Sequence, residues 1–258
     1  MNNIHEIKKA PTRRGFFFIL KKVLIGIYSA LKATLYQSSC KLCSVDLVLP
    51  GEKILCNQCQ SQLAFKTEPV CDKCGKRVIT AESFCGECIL NADALPYVRH
   101  LSIAPYEDHM RSLILKCKYA ENRSLKSIAL PLLLKTLAQL KTVQFDLIIP
   151  VPMDRGRERQ YDFILDISRD ISKKIGVALE CDNLVKIRKT QAQAGLTQVQ
   201  RKKNLNGAFQ VRKPARLSGK TVLLVDDVYT TGTTIIRCSM ALAKADATIY
   251  AITLARSL

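Results

Sequence analysis

The sequence predicts an α/β fold: a parallel sheet with helices on both faces, preceded by a small cysteine-bound module. Three observations predict it. Strand-like and helix-like apolar runs alternate from Val98 to Leu254. Ahead of them, eight of the eleven cysteines form four C-x-x-C pairs. Near the C-terminus, the apolar run Val222–Val225 leads into two acids, a Thr/Gly bend and a helical run. Strand, loop, helix is the order that presents backbone N–H groups to phosphate.

Residues 1–37 form a basic, apolar extension. Phe17, Leu20, Leu24, Ile27, Leu31 and Leu35 recur at helical spacing, and Lys21-Lys22 splits the apolar run too early for a membrane span. The segment reads as an amphipathic helix that docks on the cysteine module or touches an anionic membrane surface. Residues 38–92 hold the cysteine pairs, and Asn91–Pro96 reads as a linker. Residues 97–258 form the α/β domain. Its predicted elements are a strand over Val98–Ala104, a helix over His109–Tyr119, and an apolar helix over Leu125–Leu140 that Pro131 kinks or restarts. A buried strand over Asp146–Val151 follows, then an amphipathic helix over Phe163–Ile175 closed by Gly176. The Val222–Val225 strand, a helix over Thr233–Ala245 and a last strand over Thr248–Leu254 complete the series.

Lys plus Arg number 40 against 22 acids, a net charge of +18, which favours polyanionic partners. From Lys186 through Val225 there is no acid at all. Aromatic content is 6% and Trp is absent, so extensive base stacking is not expected and electrostatics should dominate any nucleic-acid affinity. His5, His100 and His109 are scattered, without ligand or triad spacing.

The pairs Cys40/Cys43, Cys56/Cys59, Cys71/Cys74 and Cys85/Cys88 each place two thiolates within reach of one tetrahedral ion. Two structural Zn²⁺ ions follow, with consecutive pairing (Cys40, Cys43, Cys56, Cys59, then Cys71, Cys74, Cys85, Cys88) or a cross-braced alternative. A disulfide framework is the competing reading; C-x-x-C spacing ahead of an enzyme-like domain favours metal in a reducing compartment. Cys117, Cys181 and Cys238 read as buried thiols.

Asp226 and Asp227 at a strand's carboxyl end suit ribose hydroxyls or a metal ion, and Thr230, Thr231, Gly232, Thr233 and Thr234 suit a 5-phosphate. The stretch lacks the Gly-Lys-Ser/Thr of a Walker loop and resembles the phosphoribosyl-pyrophosphate (PRPP) loop of type I phosphoribosyltransferases, with Tyr229 at a usually aliphatic position. Arg155, Arg157 and Arg159 follow Pro150-Val151-Pro152, and Lys118, Arg201, Lys202 and Lys203 add cations; these are candidates for pyrophosphate or DNA. Gly195 and Gly207 read as turns in a mobile flap. No general base is visible, so no catalytic residue is assigned.

The order and spacing of the cysteine pairs, Lys118-Tyr119, Pro150-Val151-Pro152, Gln193-Ala194-Gly195-Leu196, Arg201 with Asn204 and Gly207-Ala208-Phe209, the Thr/Gly loop and the closing Thr253-Leu254-Ala255-Arg256 together resemble the ComF family of bacterial competence proteins (ComFC/GntX-like). The resemblance implies a double zinc ribbon fused to a type I phosphoribosyltransferase-like sheet. It also implies a cytoplasmic role in natural transformation, handling imported single-stranded DNA at the inner face of the membrane. Mg²⁺ with a PRPP-like ligand, and DNA-import or recombination proteins as partners, are the associated expectations. The alternative is an active transferase passing ribose 5-phosphate from PRPP to an acceptor. The family's Arg-Gly-Phe-Asn-Gln is here Arg159-Gln160-Tyr161-Asp162-Phe163, which puts the Asp162 charge where pyrophosphate would lie.

Overall fold

The computed structural model describes residues 39–47, 54–63, 69–78, 83–91, 95–119, 123–153, 161–188 and 203–257, with positions 190, 197 and 200. The N-terminal amphipathic helix, Arg155, Arg157, Arg159, Arg201, Lys202 and Gln193–Leu196 lie outside them. The chain divides into two compact units, Met1–Gln60 and Ser61–Leu258, so each unit holds one cysteine cluster.

The first unit's described part is a cysteine-rich turn followed by the start of the short helix α1 (Asn57–Gln62). The second unit opens with a matching turn and helix α2 (Gly86–Leu90), then enters the sheet. Its elements run β1 (Arg99–Pro105), α3 (Asp108–Tyr119), α4 (Lys126–Leu137), β2 (Leu147–Pro150), α5 (Phe163–Ile175), β3 (Ala178–Leu179), β4 (Leu184–Lys186), β5 (Phe209–Val211), β6 (Thr221–Tyr229), α6 (Thr233–Ala243) and β7 (Thr248–Arg256).

Five strands form one parallel sheet in the order β1-β7-β6-β2-β3. Both faces of β6 are covered, and Val222, Leu223, Leu224 and Val225 are fully buried. One layer of core joins Ile149, Val222, Leu224, Ile249 and Ala251 to Ile235, Cys238 and Leu242 of α6. From β2 the chain crosses to β3 on one side; from β6 it crosses to β7 on the other. The connections therefore diverge between β2 and β6, and the crevice beyond their carboxyl ends is where such sheets bind ligands.

Sequence and structure agree closely on α5, whose start Asp162 caps by accepting a hydrogen bond from the Leu165 N–H at 3.0 Å. Its end is Gly176 in the left-handed region, φ 71°. Four features differ from the expectation. Helix α4 runs through Pro131 without a break. Strand β6 continues past Val225 to Tyr229, because β7 keeps pairing with it as far as Tyr229↔Arg256. Part of the basic stretch is scaffold, since β4 and β5 pair antiparallel and Leu205 and Ala208 are fully buried. Cys181 is exposed, whereas Cys117 and Cys238 are buried as expected. No helix among the described residues is long and apolar enough to cross a membrane.

Candidate functional site

The two cysteine clusters are copies of one device. In each, a C-x-x-C turn is closed by a backbone bond to the first cysteine's carbonyl, Ser44 N–H to Cys40 and Gly75 N–H to Cys71, both at 2.8 Å. The second pair sits at the entry to α1 or α2. All four Sγ atoms of Cys40, Cys43, Cys56 and Cys59 lie within 4.8 Å of one another, as do those of Cys71, Cys74, Cys85 and Cys88. Cys43–Cys56 and Cys74–Cys85 approach to 3.7 Å. Bonds of about 2.3 Å to a tetrahedral zinc require an edge of roughly 3.8 Å. The donor sets thus fit zinc with consecutive pairing, and four thiolates leave no open position for catalysis.

The left-handed residue after each C-x-x-C differs: Gly75 at φ 69° in the second turn, Ser44 at φ 64° in the first. A side chain there is strained by about 1 kcal/mol. Ser44→Gly is therefore expected to stabilise the first cluster by roughly 0.5–1 kcal/mol, read as slower zinc loss to a competing chelator.

The second cluster is built into the sheet. The Cys74 carbonyl accepts hydrogen bonds from His100 of β1 and from Arg256 Nη1 of β7, each at 2.9 Å. A carbonyl only accepts, so Nδ1 of His100 carries the proton, and Nε2 lies 2.9 Å from the Thr253 hydroxyl, which itself donates to the Ala255 carbonyl at 2.9 Å. Burial brings this imidazole down to about 3, against the Cys74 bond and with help from the Arg256 charge. It is a neutral structural group. The Tyr229 ring lies 4.3 Å from the His100 ring and 4.4 Å from the Arg256 guanidinium, and its hydroxyl bonds Tyr97 at 2.8 Å. Burial keeps both phenols protonated.

The predicted phosphate site begins where this network ends. Gly232 is the N-cap of α6 at φ 72°, and it brings no side chain to the helix's first N–H groups. No acid stands in that first turn. The positive end of the helix dipole therefore faces the bend, which favours an anion there. The Thr231 and Thr233 hydroxyls meet at 2.8 Å. Thr230, Thr231 and Thr233 line a cavity of about 610 Å³ shared with Arg237, Arg256 and Cys74.

Asp226 and Asp227 are both half-buried on β6. Asp227 ion-pairs with Lys118 at the end of α3, which gives Lys118 a place at the site. Burial, and then the Asp227 charge, push the Asp226 carboxyl up to about 8. Lys118 acts on both carboxylates, pairing with Asp227 and lowering Asp226 against that rise. The raised value also sets a stability profile. The folded state favours protonated Asp226, so its stability declines as pH rises from about 4 to about 8. Asp226→Asn is expected to raise Tm at pH 8.5 by at least ~3 °C, the gap closing towards pH 4 in a thermal-melt series.

Of the other candidates, Lys203 is exposed. Asp162 caps α5, and its charge is felt at Asp226. Tyr161 donates to Asp166, which also pairs with Lys126. The residues missed from sequence are Tyr97, His100 and the inward role of Tyr229 and Arg256. Their one signal was the closing Thr253–Arg256 motif.

Comparison with known proteins finds two domains along the chain. A double zinc ribbon domain matches residues 31–89, and a phosphoribosyl transferase domain matches residues 165–257. "DNA utilization protein YhgH" of Escherichia coli is 28% identical over 80% of this chain and 90% of its own. Among solved structures, the adenine phosphoribosyltransferase of Thermoanaerobacter pseudethanolicus superposes with TM-score 0.36 and 20% identity, over 53% of this chain and 72% of that one. "Competence protein F" of Haemophilus influenzae is 30% identical over 74% of this chain and 84% of its own length. The chain therefore belongs to the ComF family of competence proteins, with a double zinc ribbon joined to a phosphoribosyltransferase domain.

Proposed function

We propose that the protein handles single-stranded DNA during natural transformation at the cytoplasmic face of the membrane, and that its Thr/Gly bend holds the phosphate of a PRPP-like ligand. The observation that carries the ligand reading is the N-terminus of α6, which starts at Gly232 without an acid in its first turn and follows two acids at the β2/β6 crevice. The 5-phosphate would accept from the first N–H groups of α6 and from the Thr hydroxyls. The ribose hydroxyls would meet Asp226 and Asp227, and Mg²⁺ would arrive with the diphosphate. Zinc supplies folding energy and no chemistry.

The DNA reading rests on the +18 charge and on the relatives' names. Lys and Arg would neutralise phosphates and release counterions, so affinity should fall steeply with salt. A gel shift with single-stranded DNA at low and physiological salt tests it; no retardation at either would count decisively against it. Calorimetry with PRPP and Mg²⁺ tests the ligand reading. Binding weakened by Asp226→Asn is expected; absence of heat from the wild type would retire it. Released pyrophosphate would mark the transferase alternative, which Lys118 favours as a cation delivered to the paired acids. Recruitment of DNA-import or recombination proteins belongs to the same reading.

A further inference from the structure

We propose that the second metal cluster sets the conformation of the Thr/Gly bend, so that ligand binding at the bend depends on metal occupancy of Cys71, Cys74, Cys85 and Cys88. The dependence on ligand rests on the phosphate reading above; the structural coupling does not.

The contacts form an unbroken chain. Metal ligation by the Cys74 thiolate fixes the backbone around it, and the Cys74 carbonyl is the shared acceptor of His100 and Arg256, each at 2.9 Å. Both groups lie against the Tyr229 ring. Tyr97, 2% exposed, ties down the far end of that ring through its hydroxyl at 2.8 Å. The ring in turn fills the space beside Gly232 so fully that no Cβ fits there. Gly232 is the residue from which the bend enters α6. Every intermediate side chain is buried, at 0% exposed for His100, 5% for Tyr229 and 8% for Arg256, so a shift at one end has no solvent to relax into. Cys74 and Cys88 also form part of the wall of the cavity that Thr230, Thr231 and Thr233 line.

Without metal, four crowded thiols have nothing holding them together, and small ribbons of this kind owe their fold to the ion. The Cys74 carbonyl then leaves His100 and Arg256, the Tyr229 ring loses its clamp, and the bend loses both its support and the facing wall. Tyr97, His100, Tyr229 and Arg256 are positioning residues: they act on the ligand through the bend.

Hydrogen exchange on the full chain, without ligand, reads the bend directly. Chelation of the metal, and Arg256→Gln with both metals retained, are each expected to speed exchange at residues 230–234 about tenfold or more while β7 stays protected. Each is also expected to weaken PRPP–Mg²⁺ binding about tenfold, roughly 1.4 kcal/mol. Tyr97→Phe removes a single hydroxyl and serves if Arg256→Gln does not fold; its expected effect on exchange is about threefold. Exchange at the bend unchanged within about twofold, in metal-free protein and in the folded variants, overturns the coupling. If exchange responds as stated but wild-type protein binds no PRPP, the coupling stands and the phosphate reading falls.

Discussion

Gly232→Ala is expected to destabilise the Ser61–Leu258 unit by about 3–5 kcal/mol and to abolish ligand binding at the bend. Two effects add. At φ 72° an Ala pays about 1–2 kcal/mol for the left-handed backbone. Its Cβ would fall 2.7 Å from Cε1 of Tyr229 and closer still to Cζ and Oη. The ring cannot swing away, because Tyr97, His100 and Arg256 hold it on its other sides. Either the bend moves or the ring does, and either displaces the α6 N-terminus. A double-mutant cycle in urea melts isolates the clash. In a Tyr229→Leu background the cost of Gly232→Ala should drop by about 2 kcal/mol, leaving the backbone term. Equal cost in both backgrounds would mean that the ring is not the obstacle.

The second large effect is expected from Cys74→Ser. Structural zinc sites contribute about 10–16 kcal/mol of folding free energy in isolated ribbons. Here the sheet retains its own core, so the loss should be smaller, at least about 4 kcal/mol, from lost ligation and from the acceptor withdrawn from His100 and Arg256. Arg256 already has a buried Nε without a hydrogen-bond partner, which leaves little tolerance for a further loss. Metal analysis should give one zinc per chain in place of two, with Tm lowered by about 10 °C or more. Two zincs retained, or an unchanged Tm, would contradict the ligand assignment.

Much of this molecule was legible in its sequence because its signals are local. Helix α5 carries its cap at Asp162, its apolar stripe and its closing Gly176 within fifteen residues. The cysteine pairs and the Thr/Gly bend are equally self-contained. What stayed hidden depends on partners far along the chain. Tyr97 bonds Tyr229 across 132 positions, and Arg256 reaches Cys74 across 182. Neither pair leaves a periodic trace. Strands β4 and β5 are three residues each, too short for alternation to register. The extension of β6 through two acids runs against strand preference and is imposed by the β7 ladder. The cap at Asp162 was a further local signal that the reading missed, since an acid just before an apolar helical run marks a helix start.

The strand order has a consequence for how the chain acquires its shape during synthesis. Strand β7 sits between β1 and β6, and β1 meets it in the register Arg99↔Tyr250, some 150 residues away. While the ribosome is still translating the segment before Thr248, β1 has no neighbour and β6 has an exposed edge. Such late, non-local pairing folds slowly and leaves sticky edges in the nascent polypeptide. The newborn protein should therefore rely on chaperones until its final strand emerges.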